Sequence, residues 1–131
     1  MMGPSVLTGR RKVATLSLRI DLAAGGRIGP GKIALLEKIG ETGSISAAAR
    51  AMRMSYKRGW DLVEETSRLI GQPVAHTRAG GPRGGGAELT EAGRELVRRY
   101  RAIEASAAAA ASEDIAALER VAERTSTDTG G

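Results

Sequence analysis

A run of basic residues in the middle of the chain has the residue types best suited to molecular recognition. From Thr42 to Trp60 the sequence contains no aspartate or glutamate. The same stretch contains four cations, namely Arg50, Arg53, Lys57 and Arg58. Cationic side chains bind phosphate groups, and Lys and Arg also donate hydrogen bonds to base edges in the DNA major groove. The stretch therefore predicts binding of a polyanion, with double-stranded DNA as the partner.

Two capped helices would position these cations. Ser44 can cap a short Ala-rich helix, and Ser55 can cap a longer helix from Tyr56 to Ile70. Gly71 and Pro73 would end the longer helix. A short helix, a tight turn and a longer helix form a helix-turn-helix, whose second helix enters the major groove.

This arrangement predicts a set of DNA-contacting side chains. Tyr56, Lys57 and Arg58 would read bases, and the other residues would fix the register or bind phosphates. The set in these two helices comprises Ser44, Ser46, Arg50, Arg53, Ser55, Tyr56, Lys57 and Arg58. The alternative is a solvated amphipathic helix, which is the commoner explanation for a lone basic pair.

The residues before the basic run predict a leader, a strand and a helix. Residues 1–13 have no hydrophobic period and are expected to be a flexible leader. Apolar residues then occupy every second position from Leu16 to Leu22, which predicts a half-buried strand over residues 14–22. A glycine-rich loop follows, and a helix is expected from about Pro30 to Glu41.

A glycine-rich hairpin is predicted after the helix-turn-helix. Its strands would be Val74 to Arg78 and about Ala87 to Leu89, and its tip would carry little besides Arg83. Such a tip can lie along a phosphate backbone, so Arg78, Arg83 and Gly84 are added to the predicted DNA contacts. A nucleotide-binding loop is disfavoured because the G-x-x-x-x-G-K-[ST] order is absent, whereas a plain mobile hairpin is an open alternative.

A long helix should follow a cap at Thr90. Its apolar stripe consists of Leu96, Tyr100, Ile103 and Ala107, and we expect this stripe to form a homodimer interface. The alternative is that the stripe packs on its own domain. The winged domain would span residues 14–112, and residues 113–131 would form a short acidic helix with a disordered tail.

Composition restricts the function classes. The net charge is +5, the sequence pI is about 10.2, and the last 19 residues hold five acids and two bases. With no cysteine, one histidine, no paired carboxylates in a plausible cleft and no metal-ligand spacing, we expect no enzyme activity, metal site or cofactor. No apolar run is long enough to span a bilayer, so a cytoplasmic protein is expected.

Two locations are predicted for each of Trp60 and His76. Trp60 lies one turn after Tyr56 and could flank the DNA-facing side, but its size favours the core. His76, the only histidine, is expected at a polar surface position or in contact with a phosphate.

The order of these motifs resembles a known family. The GSIS turn helix at Gly43 to Ser46, the SYK and Trp60 of the second helix, and the wing ending in Leu89, Thr90 and Gly93 are similar to the N-terminal DNA-binding domain of ModE-type molybdate-responsive regulators. A weaker likeness extends to LysR-type winged helices. The resemblance covers about residues 14–105. It implies a dimeric winged helix that binds operators of molybdenum-related genes, with Ser55 to Arg58 in the major groove and residues 78–86 as the wing.

The chain departs from the family pattern after residue 112. Only 19 residues follow, and the family's SARN oxyanion motif is absent. We therefore expect either a stand-alone DNA-binding form whose signal comes from elsewhere or part of a longer protein.

The sequence thus predicts a mainly α fold with a small β wing: a winged helix-turn-helix with an N-terminal strand and a long C-terminal dimerisation helix. The predicted function is a homodimeric, sequence-specific regulator that binds duplex DNA. The alternative is a winged-helix interaction module that heterodimerises with a full-length regulator. The sequence identifies neither an effector nor a partner protein.

Overall fold

The computed structural model describes the backbone of residues 14–81 and 84–130, and the side chains of residues 14–79 and 86–123. Ser17–Ile103 form one compact unit, and the described residues outside this range form another. The elements in chain order are β1 (Ile20–Asp21), β2 (Arg27–Ile28), α1 (Pro30–Thr42), α2 (Ile45–Ala51), α3 (Tyr56–Ile70), β3 (Ala75–Gly81), β4 (Gly84–Leu89), α4 (Glu91–Ala110) and α5 (Ser112–Gly130). The fold is mainly helical with two antiparallel strand pairs, and it is a winged helix.

The predicted helix caps are confirmed. The Ser44 hydroxyl oxygen accepts a hydrogen bond from the Ala47 N–H at 3.0 Å, and the Ser55 hydroxyl oxygen accepts one from the Arg58 N–H at 3.0 Å. Each bond satisfies a backbone donor that has no partner within its helix. Gly71 ends α3 in the left-handed region with φ 88. The helix-turn-helix therefore follows from local sequence signals.

Arg53, in the turn between α2 and α3, has an unusual backbone conformation. Its φ is +60, and it is the one residue other than glycine with a positive φ in the described part of the chain. The left-handed region costs an L-residue roughly 1–2 kcal/mol, and glycine usually occupies such a helix-ending position. Strained residues cluster at functional sites, so the Arg53 side chain becomes a candidate for function.

The three helices enclose an apolar core that the sequence largely predicts. The residues buried in the main cluster are Leu35, Leu36, Ile39, Ile45, Ala48, Leu62, Val63, Val74 and Ala87. Trp60 is half-buried and packs against this cluster. The interpretation of Trp60 as a core residue is therefore favoured over a purely DNA-facing role.

The predicted N-terminal strand is wrong in length. Only Ile20 and Asp21 form a strand, and they pair with Ile28 and Arg27, which the sequence assigned to a loop. The alternating burial is present, because Leu18, Ile20 and Leu22 are half-buried while the residues between them are exposed. Alternation therefore predicted the buried face correctly. The strand is short because β2 offers only two residues, Arg27 and Ile28, as hydrogen-bonding partners.

The wing hairpin is longer than predicted and is anchored to the helix-turn-helix. β3 and β4 pair in antiparallel register from Ala75 opposite Leu89 to Arg78 opposite Gly86, and the register shifts before Gly81. The Ala87 N–H donates to the Gly43 carbonyl at 2.8 Å. Arg83 lies outside the described residues, whereas the backbone of Gly84 begins β4.

The predicted dimerisation stripe on α4 is wrong at Tyr100. Its side chain is 1% exposed, packs with Ile28 and Ile33, and donates a hydrogen bond from its hydroxyl to the Leu18 carbonyl at 2.7 Å. Leu96 is half-buried and packs against both core clusters. A residue buried within its own unit cannot contact a second copy, so the alternative that the stripe packs on its own domain holds for this half.

Unlike Tyr100, Ile103 in the second half of the stripe is exposed to solvent, and so are large apolar residues of the last helix. Ile103 is 46% exposed, and Ala107 is half-buried. Helix α5 extends through Gly130 and so includes residues that the sequence predicts to be disordered. Leu118 and Val121 on α5 are exposed at 67% and 47%.

We predict opposite effects of alanine at two helical glycines. A Cβ atom at Gly93 would lie 2.1 Å from the Val74 carbonyl oxygen, whereas a Cβ atom at Gly31 would meet nothing within 4 Å. Gly93→Ala should lower the free energy of unfolding by about 1–3 kcal/mol, because backbone must shift to admit the methyl group. Gly31→Ala should leave it unchanged or raise it by up to about 1 kcal/mol. Urea denaturation measures both, and equal stabilities would contradict the close contact of α4 with Val74.

Candidate nucleic-acid interface

Helix α3 presents three different faces. Gly59, Leu62, Val63 and Thr66 are buried against the core. Because consecutive helical residues are separated by about 100°, Lys57 lies on the opposite, outward face together with Asp61 and Arg68. Arg58 is turned away from Lys57 by the same angle and lies on a flank. The two adjacent cations of the sequence therefore point in different directions.

Lys57 is an exposed cation on this outward face. Its side chain is 83% exposed, and its ammonium group lies 3.0 Å from the Asp61 carboxylate. An exposed ion pair of this kind contributes little to stability and is readily exchanged for another partner. Lys57 is therefore free to reorient toward a ligand at the N-terminal end of α3.

A groove of about 340 Å³ separates the start of the helix-turn-helix from the wing, and we call it the wing groove. It is lined by Ser44, Ile45, Ser46, Tyr56, Trp60, Thr77, Arg78, Gly86 and Ala87. Four predicted DNA contacts, Ser44, Ser46, Tyr56 and Arg78, thus meet at one surface. Thr77 was missed by sequence reasoning, because alternation along a strand assigns it to the face opposite Arg78.

Tyr56 and Trp60 form a pair along one wall of the wing groove. The Trp60 indole N–H donates to the Tyr56 hydroxyl oxygen, and the two rings meet nearly edge to face at a centroid distance of 6.4 Å. Tyr56 is 54% exposed. Because Trp60 is packed on the core, this pair holds the exposed Tyr56 ring in one orientation beside Lys57.

Glu88 connects His76 and Arg78 on the wing, and sequence reasoning missed it. One carboxylate oxygen lies 2.9 Å from His76 Nε2, and the other accepts a hydrogen bond from Arg78 at 2.9 Å. The hydrogen bond with His76, helped by the charge of Arg78, holds the pKa of Glu88 below its usual range. Arg78 is therefore partly neutralised, which sequence spacing alone does not reveal because Glu88 faces it from the opposite strand.

The remaining predicted contacts lie elsewhere. Arg50 is exposed in the last turn of α2. Ser55 is exposed at the N-cap of α3, with its hydroxyl oxygen accepting the Arg58 N–H. Arg53 and Arg58 line a second, separate cleft on the other flank of α3.

Neither a metal site nor a membrane span is found in the part of the chain that the structure describes. No group of three or more His, Asp or Glu side chains there could hold a metal ion. None of its helices is long and apolar enough to cross a bilayer.

Comparison with known proteins agrees with the resemblance noted in the sequence and with the fold. No protein-family model matches the chain. The molybdenum transport protein ModE of Azotobacter vinelandii is 38% identical over 125 residues, which cover 95% of this chain and 43% of that protein. The molybdenum-pterin-binding protein MopB of Rhodobacter capsulatus is 51% identical over 84 residues, 64% of this chain and 31% of that protein. The resemblance to ModE-type regulators is confirmed.

A solved structure supports the fold independently. The DNA-binding domain of CbnR, crystallised in complex with DNA, superposes with a TM-score of 0.52 and is 23% identical. The match covers 66% of this chain and 94% of that domain. At this identity the likeness concerns the fold, and it confirms the winged helix. The chain spans less than half the length of the ModE-type relatives described above.

Proposed function

We propose that this chain is a sequence-specific duplex DNA-binding regulator of molybdenum-related genes that acts by binding and performs no chemistry. The observation that carries the proposal is the outward face of α3, where Lys57 stands exposed beside a groove formed with the wing. A helix that presents an exposed cationic end between two concave surfaces fits the major groove. The assignment to molybdenum-related genes rests on the likeness to ModE-type regulators.

The charges suggest how binding would proceed. Arg50, Arg53 and Arg78 would attract the phosphate backbone before close contact. Ser46 and Thr77, at the wing groove, would then hydrogen-bond phosphates and fix the register, while Lys57 and Tyr56 would contact bases. For Arg78, approach to a phosphate requires exchange of its contact with Glu88.

The first experiment is a titration of the protein with labelled duplex DNA. The native duplex comes from upstream of its own gene, a scrambled duplex of equal composition is the control, and each is measured between about 50 and 200 mM salt. We expect at least about a thousandfold preference for the native duplex and a steep loss of affinity with salt. Weak and equal binding to both duplexes would contradict a specific regulator and favour the interaction module. Repeating the series with molybdate tests whether this chain itself responds to the anion.

Two adjacent substitutions should behave differently in that titration. Lys57→Ala should cost about 1–3 kcal/mol on the native duplex and much less on the scrambled one, because Lys57 faces the base edges. Arg58→Ala should weaken binding to both duplexes equally, because Arg58 lies on a flank where phosphates pass. Arg68→Ala is the matched control, since Arg68 lies on the outward face of α3 about 16 Å farther along. Equal losses on both duplexes for Lys57→Ala would assign Lys57 to a phosphate instead.

We also propose that the protein is a homodimer that uses the exposed half of the α4 stripe. Ile103 is the large apolar residue exposed there, and Ala107 lies one turn farther on the same side. Ile103→Glu should shift the sedimentation equilibrium toward monomer, because a charge would be buried at the interface. Ala105→Glu is the control, since Ala105 is exposed on the opposite side of the same helix. A dimer unaffected by Ile103→Glu would contradict this interface.

A further inference from the structure

A second concave surface lies on the Arg58 flank of α3, and we call it the hairpin cleft. Its volume is about 660 Å³. It is bounded by the β1–β2 hairpin, the first residues of α1, the turn between α2 and α3, and one side of α3. Its basic lining residues are Arg19, Arg27, Lys32, Arg53 and Arg58, and Glu65 is the acidic one. Elements far apart in the sequence thus converge on one cationic surface.

The positive charge of the hairpin cleft is only partly neutralised. The Lys32 ammonium group lies 2.8 Å from the Glu65 carboxylate and donates to the Arg27 carbonyl at 2.7 Å, so Lys32 and Glu65 balance each other. Arg19 pairs with Asp21 outside the cleft lining. Among the described residues, no carboxylate forms an ion pair with Arg27, Arg53 or Arg58. Three guanidinium groups are therefore available to an anion.

Arg53 gives a second and independent reason to expect a ligand. The chain places an arginine at φ +60, where glycine would remove the backbone strain. Glycine at this position would leave the turn intact and delete the guanidinium group from the cleft. A strained residue whose side chain lines a basic cleft is typical of a position selected for binding rather than for folding.

The geometry around α3 favours a long polyanion as the occupant. The wing groove borders α3 on the Tyr56 and Trp60 side, the hairpin cleft borders it on the Arg58 side, and Lys57 projects between them. The DNA major groove is about 12 Å wide and has a phosphate backbone on each side, so a helix inserted into it has phosphates on both flanks. The cleft is also open beside Gly31, one of its lining residues, because a Cβ atom there would meet nothing within 4 Å.

We propose that the hairpin cleft binds backbone phosphates of duplex DNA on the side of the major groove opposite the wing, with Arg27 as a contact supplied by the N-terminal hairpin. This inference rests on the proposed function and extends it to residues that the predicted DNA-contacting set does not include. The β1–β2 hairpin then acts as a second wing. Its contacts fix the position of α3 and carry no sequence information, because phosphates are the same at every base pair.

Three variants test the cleft without relying on a loss of folding. Arg27→Ala and Arg53→Gly should each weaken binding about threefold to tenfold on native and scrambled duplexes alike, and should reduce the salt slope by about 0.9. Gly31→Asp should weaken binding more, because it adds a carboxylate to the lining of the cleft. An aspartate in the first turn of a helix is favourable, so thermal unfolding of Gly31→Asp should occur at an unchanged or higher temperature.

Arg99→Ala is the matched control because it removes one exposed arginine from α4. Glu95, its partner, keeps its contact with Arg98. The proposal is overturned if Arg27→Ala and Arg53→Gly bind DNA with the same affinity and salt slope as Arg99→Ala. It is also overturned if inorganic phosphate raises the unfolding temperature of the wild type but not of Arg27→Ala while DNA affinity is unchanged, since the cleft then takes a small anion. A wild type that binds neither duplex removes the proposed function itself, and the inference fails with it.

Discussion

The backbone at Gly43 joins the two parts of the candidate interface. Gly43 ends α1 in the left-handed region with φ 71 and donates its N–H to the Ile39 carbonyl. Its carbonyl accepts the Ala87 N–H of the wing at 2.8 Å. Gly86 makes this approach possible, because a Cβ atom there would lie 3.0 Å from the same carbonyl. Ser44, the N-cap of α2, follows Gly43 directly, so Gly43 and Gly86 together set where the wing stands relative to the helix-turn-helix.

Both flanks of α3 depend on such long-range connections. The wing groove has its width because the hairpin is attached to Gly43. The hairpin cleft has its shape because Lys32 connects α1 to the carbonyl of Arg27 and to Glu65 of α3. Hydrogen bonds to charged groups are stronger than neutral ones, so this lysine holds β2, α1 and α3 together. Within the described part of the chain, Arg27, Arg53 and Arg58 around this lysine form no ion pair.

The features that the sequence predicted well are those decided within a few residues. The caps at Ser44, Ser55 and Thr90 each satisfy an N–H three positions away, so residue type and spacing suffice. Tyr100 shows the opposite case. Its position in an apolar stripe was plain, but its partner Leu18 lies 82 residues earlier, and periodicity cannot say whether a stripe meets its own chain or another.

Sequence spacing also does not show which charged side chains share a surface, and this affects which residues are assigned to DNA contact. Lys57 and Arg58 are neighbours in the sequence, so composition treats them as one basic pair, yet helical geometry directs them about 100° apart. Arg58 instead shares a surface with Arg27 and Arg53, which local spacing does not group with it. A polyanion that meets α3 therefore encounters a cation at its tip and a separate cationic surface on its flank. This division is the physical basis for assigning base contact to one residue and phosphate contact to its neighbour.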